Sequence, residues 1–158
     1  MTSLATSGLL TALNSELGAV RAFVALLQQE QRLLTENQTE PLLALAEQKS
    51  LQTINLNQLA ESRISMLEQL LPDLSNEAID SWLAANSAKG YANWQEIREL
   101  AKQARQLNRV NGELIQMKMR HNQQTLVTLT QAVNKADLYG PDGQRSFTPG
   151  SGRSLGNV

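Results

Sequence analysis

The sequence predicts an all-α protein: an elongated antiparallel helical bundle or coiled coil of three long helices and a short connector helix, with a flexible C-terminal tail. Two observations predict this fold class. Of the 158 residues, 41% are hydrophobic but only 4% are aromatic, so the core must be built from aliphatic side chains. Apolar residues also recur every three or four positions over long stretches, and Pro and Gly are scarce before residue 140.

The first two helices are predicted from apolar spacing and from a proline-marked break between them. Over about residues 7–36, a heptad seam is formed by Leu10, Leu13, Leu17, Val20, Val24 and Leu27. Pro41 has no N–H to donate but is tolerated in a first turn, so a second, antiparallel helix is expected to begin beside it. That helix should end near Leu71, before Pro72, and its apolar positions are Leu42, Leu45, Leu56, Leu59, Met66 and Leu70.

A short connector helix is predicted next, followed by the start of the last helix. Ser75 can cap a helix that carries Ile79, Trp82 and Leu83. Residues 86–90 are typical of a loop, and residues 93–96 resemble a capping box, so the last helix is expected to start at Asn93. The aromatic residues Trp82, Tyr91 and Trp94 are expected to seal the end of the bundle; a ligand-stacking cluster is the alternative.

One face of the last helix carries an apolar stripe whose two parts differ. Its members are Ile97, Ala101, Ala104, Asn108, Asn111, Ile115, Met119, Asn122, Leu126, Leu129, Val133 and Ala136. The first part holds small and amide side chains that suit close helix packing, whereas the part from Ile115 on holds larger groups. Two interpretations of the second part stay open. It is core, or the helix overhangs its partners and exposes a surface that binds amphipathic helices of other proteins.

The end of the chain is predicted to change character after Tyr139. Residues 1–139 are expected to form the helical domain, with 115–139 as its amphipathic part. Residues 140–158 contain five of the nine glycines and two of the four prolines, which predicts a flexible tail. Tyr139 is the only aromatic residue between Trp94 and Phe147. It either packs back onto the helix end or serves as an exposed aromatic anchor.

Composition argues against several functional classes. A net charge of −1 does not favour nucleic-acid binding, and without cysteine the chain has neither disulfides nor thiolate metal sites. No uninterrupted apolar run reaches the about 18 residues of a membrane span, so a cytoplasmic protein without membrane insertion is expected. We also expect that the protein is not an enzyme and that it binds neither a metal nor a cofactor. The single histidine, His121, could accept a phosphoryl group, but no Lys-Gly pair follows it as in phosphotransfer bundles.

Three sequence strings resemble the FlgN-type flagellar type III secretion chaperones. They are Leu-Ala-Glu-Gln-Lys-Ser-Leu at 45–51, Asn-Arg-Val-Asn-Gly-Glu-Leu at 108–114 with His-Asn-Gln-Gln at 121–124, and Leu-Tyr-Gly-Pro-Asp-Gly-Gln at 138–144. The resemblance covers essentially the whole chain, and the last string is the most specific. The rival interpretation is a structural coiled-coil protein that associates with itself.

The resemblance implies a cytoplasmic, non-enzymatic chaperone for the hook–filament junction proteins FlgK and FlgL. Such chaperones engage helical C-terminal segments of their cargo through their own C-terminal amphipathic region. In this chain that region implies cargo contacts at Ile115, Met119, Asn122, Leu126, Leu129 and Val133. The resemblance also implies docking of Tyr139 onto the cytoplasmic domain of the export-gate protein FlhA. Cargo is expected to order the helix and tail, so that the loaded chaperone presents this tyrosine.

Overall fold

The computed structural model describes the backbone of residues 2–138 and the side chains of residues 4–134. Over that range the chain forms four α-helices and no strand: α1 Thr2–Thr35, α2 Leu42–Leu70, α3 Asn76–Asn86 and α4 Ala88–Leu138. The predicted all-α class, with three long helices and a short connector, is confirmed. Tyr139 and the predicted tail at 140–158 lie outside the described residues.

The link between α1 and α2 is a tight turn built on Asn37. This residue has φ of 57°, in the left-handed region that Asn tolerates better than most side chains. The N–H of Asn37 donates to the carbonyl of Leu34, and the N–H of Gln38 donates to that of Leu33. These two bonds form a Schellman motif, which satisfies carbonyls at the end of α1. Pro41 then stands immediately before α2, as predicted.

Helices α1 and α2 pack antiparallel, and two ion pairs show their register. Glu30 pairs with Lys49 at 3.2 Å, and Glu16 pairs with Arg63. Moving back 14 residues in α1, from 30 to 16, corresponds to moving forward 14 residues in α2, from 49 to 63. Both glutamates are buried, so each carboxylate needs its cationic partner to offset the loss of hydration.

The connector helix is capped as predicted, but α4 starts earlier than its sequence indicates. The hydroxyl of Ser75 accepts a hydrogen bond from the Ala78 N–H, at 3.2 Å. The predicted loop at 86–90 is wrong, because only Ser87 separates α3 from α4. Its hydroxyl accepts from the Gly90 N–H at 2.9 Å and so caps α4 in place of the predicted Asn93. Glu96, the other end of the predicted capping box, instead accepts hydrogen bonds from Arg21 of α1.

Gly90 permits α4 to approach α1 closely in its first turn. A Cβ at this position would lie 2.5 Å from Cδ2 of Leu10 and 3.3 Å from Cδ2 of Leu83. The glycine is therefore required for close packing rather than for a loop, which explains why a loop prediction based on composition fails here.

The main core is formed by α1, α2, α3 and the first part of α4. Leu9, Leu13, Leu27, Leu67 and Leu83 are its most deeply buried leucines. Most of the predicted seam of α1 is buried, although Leu10 is only half-buried and Leu9 takes the innermost place. Leu67, the most buried residue of α2, was absent from the apolar positions predicted for that helix. A second, smaller cluster contains Leu26, Leu33 and Leu45.

Helix α1 also meets a simple test for a membrane-spanning helix. Over Leu4–Thr35 it is long and apolar enough to cross a membrane. Such a test weighs length and composition only, and the buried core helix of a bundle passes it too. Because Leu9, Leu13 and Leu27 of α1 are at most 1% exposed, we interpret α1 as a core helix.

A buried asparagine joins α4 to α1. Asn111 is fully buried, and its Nδ2 donates to the Leu27 carbonyl at 2.9 Å and to Oε1 of Glu30 at 2.8 Å. Since Glu30 also pairs with Lys49 of α2, one polar cluster connects three helices. Buried polar contacts of this kind fix the register of packed helices, because any shift would leave them unpaired.

The chain divides between Leu114 and Ile115 into two units. Unit 1, Met1–Leu114, contains the core described above. Unit 2, Ile115–Val158, is described up to residue 138, where it consists of the C-terminal part of α4. The boundary predicted between residues 139 and 140 falls outside the described range.

Candidate protein-binding surface

The predicted cargo contacts of unit 2 lie on one exposed face of α4, which we call the apolar stripe. Its members are Ile115, Met119, Asn122, Leu126, Leu129 and Val133. At 100° per residue, all six fall within about 40° of a common direction. The five apolar members are between 38% and 64% exposed, and Asn122 is exposed as well. A helix with this many large apolar groups open to solvent is a candidate binding surface.

Unit 1 covers the first part of the same predicted stripe, with one exception. Ile97, Ala104 and Asn111 are buried, and Ala101 is half-buried. Asn108 is exposed, so its predicted place on the packed face is wrong. Leu107, one residue earlier, packs against the core instead. The packed face therefore rotates slightly around the helix, which a fixed 100° step does not reproduce over many turns.

Two further apolar residues of unit 2 are exposed and were not part of the predicted surface. Met117 is 57% exposed and Val127 is 53% exposed. At 100° per residue they lie about 160° and 120° away from the direction of Ile115, so they belong to other sides of the helix. Exposure of single apolar residues is common and needs no partner to explain it. The binding surface is therefore best limited to the apolar stripe.

The charged residues of this part of α4 have one sign. No acidic residue occurs between Glu113 and Asp137, whereas Lys118, Arg120 and Lys135 lie in that interval. The threonine hydroxyls of this segment bond to the helix backbone, as Thr125, Thr128 and Thr130 each donate to the carbonyl four residues earlier. Those hydroxyls are occupied within the helix. The charged groups of this part of α4 are basic, and its other polar groups are neutral. At 100° per residue, Arg120 and Lys135 lie about 140° and 160° from the direction of the apolar stripe.

Three threonines and two valines also make this segment a weak helix former by itself. β-Branched side chains lose rotamer freedom in a helix, and in proteins most helical stability comes from packing of an apolar face. Residues 119–134 are all exposed, so this source of stability is not used in that part of α4. A partner that covered the apolar stripe would therefore stabilise the helix as well as bury apolar surface.

The single histidine is placed on the solvent side of α4. His121 is exposed, and its carbonyl accepts the Thr125 hydroxyl at 3.0 Å. Among the described residues, no group of three His, Cys, Asp or Glu side chains is arranged to hold a metal ion. The surroundings of His121 supply no feature that favours phosphotransfer.

The aromatic residues near the α3–α4 junction belong mainly to the core. Trp94 is 6% exposed, and its indole N–H donates to Oδ1 of Asp80 at 3.0 Å. Trp82 packs against the same core, as expected for residues that seal the bundle. Tyr91 is more exposed, at 37%. The guanidinium of Arg63 lies 5.0 Å from the centroid of the Trp94 ring, a cation–π contact between α2 and α4.

Comparison with known proteins gives a consistent family assignment. The family model described as FlgN protein matches residues 1–146. A flagella synthesis protein FlgN of Yersinia enterocolitica is 30% identical over 148 residues, covering 92% of this chain and 95% of that protein. The flagella synthesis protein FlgN of Escherichia coli strain K12 is 38% identical over 71 residues, covering 45% of this chain and 51% of that protein. No solved structure matches the chain.

Proposed function

The chain belongs to the FlgN family of flagella synthesis proteins, and we propose that it is a cytoplasmic, non-enzymatic flagellar export chaperone. Its cargo would be the helical C-terminal segments of the hook–filament junction proteins FlgK and FlgL, which it would deliver to the export gate. The observation that carries this proposal is the exposure of the apolar stripe in the part of α4 whose described side chains from 119 to 134 are all exposed.

Cargo binding would draw on the burial of the apolar stripe. Met119, Leu126, Leu129 and Val133 are each more than half exposed, so a cargo helix could cover most of their surface. Complete burial of such a side chain contributes roughly 1.5–3 kcal/mol relative to exposure. Part of that gain offsets the cost of ordering both helices. The expected geometry is the packing of an amphipathic helix with apolar residues at i, i+3 or i+4, and i+7.

The basic charge of this part of α4 constrains the chemistry of the cargo. Because residues 114–136 contain no acidic side chain but carry Lys118, Arg120 and Lys135, a cargo segment with net negative charge would match them best. Complementary charges increase the association rate and are screened by salt. Binding should therefore weaken as ionic strength rises, with the apolar contribution remaining.

The stripe assignment can be tested with two double variants of the full chain. Leu126→Asp with Leu129→Asp places two carboxylates inside the apolar stripe. Gln124→Asp with Gln131→Asp adds the same charge about 160–180° around the helix. We expect the first variant to weaken binding of FlgK and FlgL C-terminal segments by at least about a hundredfold in calorimetry, and the second by only a few fold. Equal loss in both variants, at unchanged helix content, would contradict the assignment.

Gate docking is proposed for Tyr139, which lies outside the described residues, on the strength of the family string at 138–144. Tyr139→Ala should lower the affinity for the FlhA cytoplasmic domain, and Tyr139→Phe separates the role of the ring from that of the hydroxyl. A large tyrosine-to-alanine loss is typical of an aromatic anchor in a small interface. Unchanged affinity of Tyr139→Ala in surface plasmon resonance would remove this residue from the interface.

Loading is proposed to favour delivery, since cargo that orders the C-terminal part of α4 reduces the ordering cost of a second binding step. The loaded chaperone should then bind the gate domain more tightly than the empty chaperone. The rival function, a self-associating structural coiled coil, would also use the apolar stripe. Sedimentation of the free chain separates the two, because a chaperone should form a defined complex with cargo whereas a structural coiled coil should grow with its own concentration.

A further inference from the structure

A groove of about 480 Å³ opens between α1, α2 and α4, entirely within unit 1. Its floor is apolar and is formed by Val20, Phe23, Leu56, Ile97, Ala101 and Ala104. Three arginines, Arg63, Arg98 and Arg105, line the same groove, and Glu16 is its only acidic lining residue. The groove is separate from the apolar stripe, which belongs to unit 2.

Small and polar residues keep this groove open. Where α2 and α4 face it, the side chains include Ala60, Ala101 and Ala104, which are too short to meet across the gap, along with Thr53 and Asn57. The large apolar residues of α2 that could have filled such a gap are exposed elsewhere, as Leu51 and Ile54 are 69% and 56% exposed. The groove therefore results from short and polar side chains on α2 and α4.

Arg105 is the arginine of this groove that remains available to a ligand. Arg63 pairs with the buried Glu16, and Arg98 pairs with Asp80 of α3 at 3.1 Å. Arg105 is exposed, and no ion pair is recorded for it within the part of the chain that the structure describes. Counting Glu16 against the three arginines leaves the lining with a positive balance, in a protein whose formal net charge is −1. A carboxylate is the complementary group.

The extent of the groove favours a peptide helix as occupant. It follows α4 from Trp94 to Arg105 and α2 from Thr53 to Arg63, which at 1.5 Å per residue is roughly 15 Å. Apolar residues at i, i+4 and i+7 of a helix span about 10 Å and fit within that length. We propose that this groove is a second docking site, which binds an acidic amphipathic helix through apolar anchors on its floor and a carboxylate at Arg105. This proposal does not depend on the function proposed for the apolar stripe.

Trp94 offers a built-in reporter for the test. Because the chain has two tryptophans, the Trp82→Phe variant of the full chain leaves Trp94, a lining residue, as its only one. The probe is a capped helical peptide of about fourteen residues, with leucines on one face and glutamates on its flanks. The same peptide with lysines replacing the glutamates is the charge control. We expect the acidic peptide to shift the Trp94 emission saturably and the basic peptide to leave it unchanged.

Two substitutions locate the peptide in the groove. Arg105→Glu should weaken binding of the acidic peptide by about tenfold or more, whereas Lys102→Glu, an equal charge change on the same helix outside the groove lining, should change it less than about threefold. Ala101→Met fills the floor and should also weaken binding by about tenfold. Equal effects of Arg105→Glu and Lys102→Glu would reduce the interaction to general electrostatics and overturn the proposal, as would an unaffected Ala101→Met variant.

A ¹⁵N NMR titration of the full chain distinguishes the two surfaces. Shift changes confined to residues 16–23, 53–63 and 94–105 support the groove, and changes confined to residues 115–134 overturn it by assigning the peptide to the apolar stripe. Decanoate serves as a small-molecule probe. If decanoate shifts the groove resonances and the acidic peptide does not, the groove is a site for a small aliphatic carboxylate and the peptide proposal is wrong.

Discussion

The two parts of α4 share one helical period but meet opposite environments. In unit 1 the helix buries Trp94, Ile97, Ala104 and Asn111 against other helices of the chain. In unit 2 every described side chain from 119 to 134 is exposed. The buried part holds the smaller stripe residues, and the exposed part holds the larger ones. Apolar periodicity therefore identifies a face that needs a partner, but it does not tell whether that partner is in the same chain.

Residue size separates the two cases. Ala104 belongs to the buried core of unit 1, and Asn111 satisfies its Nδ2 through the backbone of α1. Met119, Leu126 and Leu129 have larger side chains, which are 64%, 64% and 57% exposed. Large, flexible side chains such as methionine adapt to irregular partner surfaces. The difference fits a helix that is anchored by one part and available for binding through the other.

The strongest test of this difference is to truncate one apolar side chain to alanine in each part of α4. Ile97→Ala should lower the free energy of unfolding of unit 1 by roughly 2–5 kcal/mol, because Ile97 is 4% exposed and the substitution leaves a cavity. Leu126→Ala should change it by less than about 0.5 kcal/mol, since this side chain is 64% exposed. Urea titrations followed by tryptophan fluorescence measure the effect, as both tryptophans are in unit 1.

Cargo affinity measured on the same two variants should show the opposite order of effects. Leu126→Ala is expected to weaken cargo binding, and Ile97→Ala is expected to leave it intact under conditions where unit 1 is folded. If Leu126→Ala destabilised unit 1 as much as Ile97→Ala does, the apolar stripe would be covered within the chain and the comparison would fail.

A second prediction concerns two asparagines that the sequence places on the same stripe. Asn111→Ala should cost about 1–3 kcal/mol, because it removes two hydrogen bonds and leaves the buried Glu30 with fewer partners. Asn108→Ala should cost less than about 0.5 kcal/mol, since Asn108 is exposed. Thermal unfolding of both variants provides the measurement. Equal costs would mean that Asn111 does not fix the register between α1 and α4.

Most of the fold could be predicted from the sequence because aliphatic periodicity dominates it. The helix count, the break before Pro41, the Ser75 cap and the core seam of α1 were all predicted and are confirmed. The family resemblance was carried by short strings, and the family match over residues 1–146 confirms it.

The errors share a physical cause, which is tertiary contact. Gly90 resembles a loop residue in the sequence but is used for close packing, and Glu96 resembles a capping residue but pairs with Arg21 across helices. The groove of unit 1 could not have been predicted, since its lining comes from residues far apart in the chain. The exposure of the apolar stripe cannot be predicted for the same reason, because periodicity does not encode which helices are long enough to cover it.

The smallest predicted effect concerns two glycines of α4. Their substitution by alanine should change the free energy of unfolding in opposite directions. Gly112→Ala should raise stability by about 0.5–1 kcal/mol, because a Cβ there meets nothing within 4 Å and alanine is the better helix former. Gly90→Ala should instead lower stability by about 1 kcal/mol, since its Cβ must displace the end of the Leu10 side chain, 2.5 Å away. Chemical denaturation of both variants decides the matter. Stabilisation by Gly90→Ala would mean that Leu10 moves aside freely and that α4 does not need a glycine to approach α1.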